Sequence, residues 1–217
     1  MKKLELYTGT EQGKPAIGIR LGGEASIQDL LDLWQPLCDD SELFKSYAAG
    51  NHATCRGCLH NCCQTAYVIP DLISFKKMAA HLHLTYKEFL SADFFDAEKL
   101  EAGIVRMKPN PCIFLQDNIC SIYPLRSLIC RFYICCQLMG DCEQLIYSIC
   151  WSGSAATQLF AEQEGLINSK GSGALSSFDL MFKRLMEEYR FDPRVQLFLQ
   201  ANDYYDIPLS AFTAADI

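Results

Sequence analysis

A chain of 217 residues, half of them apolar and about a fifth charged, has ordinary globular composition, with length for one sizeable core or for one domain plus an appendage. The net charge of −7, with no run of Lys or Arg, argues against a nucleic-acid binder, which needs a basic face to track phosphates. Twelve cysteines are the anomaly, and the compartment decides what they mean.

The N-terminus, Met1-Lys2-Lys3-Leu4-Glu5-Leu6-Tyr7, turns polar within a few residues and builds no apolar signal core, so the expected location is cytoplasmic. In a reducing cytosol, clustered thiols bind metal or do redox work more often than they form disulfides. The first element reads as a hairpin: Leu4 to Tyr7 alternates, Gly9 to Pro15 has turn chemistry, and Ile17 to Leu21 alternates again. Ser26 with Asp29 three residues on resembles a capping box, opening a helix with Ile27, Leu30, Leu31, Trp34 and Leu37 on one face. Pro36 is expected to bend or end it, and a second short helix to run from Ser41 to Gly50.

The first cysteine cluster is Cys55-Arg56-Gly57-Cys58-Leu59-His60-Asn61-Cys62-Cys63. A C-x2-C pair makes two sulfurs converge, Gly57 permits the tight turn, and a third thiolate four residues on can close the loop on one metal. Adjacent Cys62 and Cys63 point opposite ways in extended backbone, so they serve two sites or one of them only packs. His60 flanks the cluster as an outer donor or stands in for a cysteine. An extended stretch from Thr65 to Pro70 and a helix from Asp71 to about His83 follow. Thr85 and Glu88 then form a capping-box pair before another short helix.

A strand near Ile104 to Lys108 leads to the second cluster. There Cys112 to Leu115, a turn at Gln116-Asp117-Asn118, and Ile119-Cys120 read as a tight hairpin. Pro124 sits early in a helix expected to reach about Leu138. The most apolar stretch, Leu128 to Trp151, is interrupted by Arg131, Asp141 and Glu143, so no membrane span is expected. Asn168 to Gly173 reads as a flexible link. Phe178, Met181, Phe182, Leu185, Met186 and Tyr189 then form a helical stripe, expected to dock on the first domain or on a second subunit.

Taken alone, Cys112, Cys120, Cys130 and Cys150, spaced by eight, ten and twenty, match no standard zinc knuckle and read equally well as buried packing residues. Their neighbours carry more. Pro111-Cys112-Ile113-Phe114-Leu115 and Cys120-Ser121-Ile122-Tyr123-Pro124-Leu125-Arg126-Ser127-Leu128-Ile129-Cys130-Arg131, with the first cluster, resemble the CxxCxxCC family, described as zinc- or iron-chelating. Ile113 and Ser127 stand where that family usually has proline. Cys150-Trp151-Ser152-Gly153 is a weaker match to its closing element. The resemblance spans about residues 50 to 153 and implies metal ligation by Cys55, Cys58, Cys62, Cys63, Cys112, Cys120, Cys130 and Cys150. Cys135, Cys136 or Cys142 are the substitutes should Cys150 fail, and Cys38 is a small core residue. The best-understood branch of the family resembles flagellin lysine N-methylases, in which an iron–sulfur centre is implicated. No dinucleotide-type glycine fingerprint accompanies it here.

Zinc favours closed sites built on short C-x2-C arms, and one such arm is present, so an iron–sulfur centre (one or two 4Fe–4S clusters) is favoured over zinc. Arg126 and Arg131 are expected to offset the negative charge of such a centre, or to form surface ion pairs, with Tyr123 packed beside the sulfurs or donating its hydroxyl to them. The fold expected is α+β, predominantly helical with short β-hairpins and an irregular metal-nucleated core. Its parts are an N-terminal hairpin and helices (1–49), a cysteine-cluster domain (50–153) and a helical appendage (154–217). Three functions follow in order: a redox or cluster-carrying protein, a metal-dependent lysine methylase-like enzyme, and a zinc-stapled interaction module. Its partner is an unidentified protein or a second copy, with neither nucleic acid nor membrane.

Overall fold

The computed structural model describes residues 3–42, 45, 56–58, 62–171, 173 and 175–213. The fold is α+β and mainly helical. Strands β1 (Leu4–Glu11) and β2 (Lys14–Leu21) pair antiparallel from Leu4↔Leu21 to Glu11↔Lys14. Their turn is Gln12-Gly13 alone, both at positive φ (50° and 77°), which is what a two-residue hairpin requires. The strands therefore run on through most of the stretch expected to be turn. A parallel strand β5 (Gln137–Leu138) joins the far side of β2, against Ala16 and Ile17, giving the order β1-β2-β5.

The Ser26–Asp29 capping box opens α1 (Ile27–Asp39), whose residues Ile27, Leu30, Leu31, Trp34 and Leu37 are all buried. Pro36 does not end this helix. The Asp40 N–H donates to the Pro36 carbonyl and completes the last turn. That turn sets Cys38 Sγ 3.8 Å from the carbonyls of both Arg131 and Tyr133, and Trp34 donates to the Phe132 carbonyl at 3.1 Å. The helix expected at Ser41 to Gly50 lies mostly outside the described residues.

Helices α2 (Leu72–His81), α3 (Tyr86–Ser91, opened by the Thr85–Glu88 capping box) and α4 (Ala97–Glu101) follow. The first two meet in an aromatic cluster with Phe95, which precedes α4: Phe89 lies 5.3 Å from Phe75 and 5.0 Å from Phe95 between ring centroids. The strand expected near Ile104–Lys108 is instead an extended segment with one isolated bridge, Phe95↔Met107. Its amides are taken one at a time: Val105 N–H by the Gln158 side chain, Met107 N–H by Val68, Lys108 N–H by Phe94. The hairpin of β3 (Leu115–Gln116) and β4 (Ile119–Cys120) turns at Asp117-Asn118, both at positive φ.

The single helix expected from Pro124 to Leu138 is broken into a 3-10 turn (Tyr123–Leu125), α5 (Leu128–Phe132) and β5. Its break has a cause outside the segment. Asp71, fully buried, accepts the Leu128 N–H at 2.8 Å and the Ser127 hydroxyl at 3.2 Å, so a new helix starts there. Its end is set by β2, which draws Gln137–Leu138 into the sheet.

The long helix α6 (Cys142–Gln163) runs through the centre, packed by α2, α5, α7 (Ser177–Tyr189) and α8 (Pro193–Gln200). The boundary expected between 153 and 154 falls inside it. A Cβ at Gly153 would sit 2.6 Å from Asp71 Cβ and 3.2 Å from the Phe198 ring, so only glycine lets α2 and α8 approach α6 there. The stripe on α7 divides: Phe182 and Met186 are buried, with Phe182 5.6 Å from the Trp151 ring, whereas Phe178 and Met181 are exposed. Ahead of it, Lys183 Nζ donates to the carbonyls of Ala102 (2.6 Å) and Gly171 (3.3 Å).

Asp179 fastens α7 to the body. It is buried and accepts from Lys99 Nζ (2.8 Å), the Tyr67 hydroxyl (2.9 Å) and both Ser176 donors. Burial pushes its carboxyl up, but Lys99, Ser176 and Tyr67 outweigh that and hold it well below the usual carboxylate range. A depressed pKa contributes stability above the unfolded value of about 3.9 that is lost as pH falls below it. Urea midpoints measured between pH 5 and pH 3 should therefore fall more steeply for the native chain than for Asp179→Asn. Equal slopes would show that Asp179 does not set the acid limit.

Candidate metal centre

Four chain segments meet around one cavity of about 70 Å³. The first is the turn at Gly57 (φ 79°) with Cys58, followed by the 3-10 turn Cys62–Gln64. The second is the loop at Cys112, whose N–H donates to the Cys63 carbonyl at 2.8 Å and so ties the two cysteine clusters together through backbone. The third is β4, ending in Cys120. The fourth is α5 with the loop behind it. Seven of the described cysteines line this cavity: Cys58, Cys62, Cys63, Cys112, Cys120, Cys130 and Cys135. Val68, Met78, Met107, Phe114 and Ile122 close the remaining walls with apolar surface.

Cys150 is buried on α6 and is not among the lining residues, and neither are Cys136 and Cys142. Cys135, which stands outside the family pattern, is on the wall instead. Cys55 and His60 lie outside the described residues. Arg126 and Tyr123 line the cavity, with the guanidinium 3.4 Å from the Tyr123 ring centroid and Nε donating to the Tyr123 carbonyl at 3.0 Å. The Tyr123 hydroxyl donates to Asp39, not to sulfur. Arg131 faces elsewhere, 5.9 Å from the Tyr204 ring.

Residues 54–149 match the model of the CxxCxxCC family, described as "Putative zinc- or iron-chelating domain". The cysteine-rich segment is a CxxCxxCC domain. No curated protein and no solved structure matches the chain.

The CxxCxxCC domain's residues suit a thiolate-held metal group. Arg126 is buried, and its Nη2 has no hydrogen-bond partner among the described residues. An orphaned guanidinium N–H on the wall of a thiol-lined chamber calls for an anionic group, since an unpaired buried donor of this kind is costly. The arrangement is also spread out. Among the described residues, no three His, Cys, Asp or Glu side chains gather tightly enough to hold a single ion. The thiols stand around the cavity, not pinched at one point.

Electrostatics divides these thiols. Its contact with Cys62, then the Arg126 charge, holds Cys63 down at about 7 against burial. Burial pushes Cys112 up, Cys120 up to about 11, and Cys130 higher still. Metal ligation requires the thiolate, so of these four Cys63 is the best prepared to make a first bond.

Cys135, offered by the sequence only as a substitute for Cys150, carries no spacing signal of its own and reaches the cavity because β5 pairs with β2. Asp71 was legible only as a helix start, whereas its carboxyl also caps α5, the helix that presents Cys130.

Proposed function

We propose that this chain is an iron–sulfur protein with a redox or cluster-carrying role, working in a reducing compartment. The observation that carries the reading is the single chamber walled by seven cysteines and a buried, unpartnered arginine nitrogen. Thiols set around a chamber suit a polynuclear group, whose metal atoms each take a ligand from a different side; a lone tetrahedral ion needs four converging at one point. The chemistry of the walls agrees: sulfur and apolar side chains predominate, with the neutral polar Asn118 and Ser127, and Arg126 is the cation among the described lining residues. When bound, an iron–sulfur cluster supplies one-electron transfer, with a potential set by its charge, hydrogen bonds and exposure. Cys58, Cys62, Cys63, Cys112, Cys120, Cys130 and Cys135 would supply the ligands to hold it, and Arg126 Nη2 would donate toward it. Among the described residues no helix is long and apolar enough to cross a membrane.

Anaerobic purification tests this. Iron and acid-labile sulfide in near-equal amounts, with a broad visible absorption that bleaches on reduction, are expected. Zinc alone, with no sulfide and no visible band, would replace the reading with a structural zinc site. Removing the metal from reduced protein should lower the thermal midpoint by about 10 °C or more, because metal binding contributes directly to folding. An unchanged midpoint and circular dichroism would make these cysteines packing residues.

A further inference from the structure

Behind the thiol chamber lies a larger hollow. A groove of about 510 Å³ opens between α6 and α7. Its floor includes Ile69 and Cys150, only 6% and 4% exposed, and its rim includes Tyr147, Phe178 and Met181, exposed at 56%, 44% and 50%. The two hollows share a wall one residue thick. Tyr67 and Ile69 line the groove while Val68 between them lines the chamber; Ile129 lines the groove and Cys130 beside it lines the chamber.

We propose that this groove is a binding site for a flat, uncharged aromatic molecule of small-molecule size. The volume lies within the roughly 300–1,000 Å³ typical of such sites. Its walls are aromatic and set edge to face: Tyr67 and Phe178 are 5.0 Å apart between centroids, and Trp151 and Tyr189 6.1 Å. Rings held at these angles leave faces and edges for a planar guest, the contacts aromatic groups prefer. The charge balance selects a neutral guest. Among the described residues no carboxylate lines the groove, and its cation, Arg194, is already matched by Asp192 at 2.6 and 3.0 Å. Polar groups are interspersed with the rings: Gln144 and Ser148 stand one helical turn apart on α6, and the Ser148 hydroxyl accepts from Arg194 at 3.1 Å. A stable protein partner needs about 800 Å² from each side, far more than a hollow of this size lines.

The site is independent of which metal the chamber holds. Titration of the full-length, anaerobically purified chain with naphthalen-2-ol by calorimetry is the test. It should bind one molecule per chain, saturably, and quench emission from Trp151. Met181→Glu and Phe178→Ser, both exposed rim positions, should each weaken binding by about tenfold or more while metal content stays at the native level. If one variant fails to fold by circular dichroism, the other carries the comparison. Absence of saturable binding would overturn the proposal, as would equal affinity in native and rim-variant chains. A dimer that Met181→Glu converts to monomer, with no naphthalen-2-ol binding, would assign the groove to a second copy and overturn it as well.

Discussion

Cys130→Ala should strip the chain of metal, whereas Cys150→Ala should leave metal content at the native level. Cys130 sits on α5 at the cavity wall, and α5 is pinned on both sides, by Asp71 at its first N–H and by Trp34 at the Phe132 carbonyl. A thiolate removed from such a wall has no mobile neighbour to replace it. Structural metal sites bind with on the order of 10–16 kcal/mol, and each 1.4 kcal/mol lost is tenfold in affinity. Loss of one ligand should therefore weaken retention by about a hundredfold or more. Cys150 is buried among apolar side chains on α6 and opens toward the groove, so its loss should cost only about 1 kcal/mol of packing. Cys135→Ala completes the set and should lower metal content. Metal lost from Cys150→Ala but kept in Cys135→Ala, measured by elemental analysis of folded protein, would return the ligand role to the family's closing cysteine.

Asp71→Ala should destabilise the chain by about 3–5 kcal/mol, more than any surface change. This carboxyl, fully buried, accepts the Ser74 N–H at 3.0 Å, the Leu128 N–H at 2.8 Å, the Ser127 hydroxyl and the Tyr204 hydroxyl at 2.8 Å. It caps α2 from within and α5 from a distance, and it holds the C-terminal Tyr204 against both. Truncation to alanine orphans two backbone donors in a dry site, each costing about 1–3 kcal/mol. Tyr204→Phe removes one donor from the network and should cost only about 1–2 kcal/mol. Denaturant unfolding of metal-loaded chains separates the two. Equal, small losses for both variants would mean that Ser127 and Leu128 find other partners, and that α5 does not depend on Asp71.

Much of the fold was legible where short-range chemistry decides. Ser26–Asp29 and Thr85–Glu88 act as written, because a capping box is complete within four residues. The face of α1 follows from its spacing alone. The failures share one cause: a distant residue settles them. Nothing near Arg126 or Ser127 announces that Asp71 will restart the helix at Leu128. Nothing near Gln137 announces pairing with Ala16, and that pairing carries Cys135 to the cavity. Extended residues 104–108 looked like a strand from composition, yet their partners come singly from four different places. Within the candidate site, Cys58, Cys62, Cys63, Cys112, Cys120 and Cys130 were named from pattern and line one chamber. Cys150 was named from pattern too, and Gly153 explains its neighbourhood differently, as the point where α2, α6 and α8 touch. Arg131 shares a segment with Arg126, but α5 turns it toward Tyr204.

The wide spacing of the chamber's walls has a consequence for synthesis. Cys62 and Cys63 leave the ribosome about seventy residues before Cys135, which at 5–20 residues per second is a delay of roughly 4–14 s. During that interval the hairpin β1–β2 can form, but its third strand does not yet exist, and Asp71 has no α5 to cap. The thiols of the first cluster are meanwhile without Arg126, whose charge helps to hold Cys63 down in the folded chain. The nascent chain therefore carries clustered sulfur ahead of the structure that shelters it. All four walls of the chamber exist together only after Cys135 has emerged.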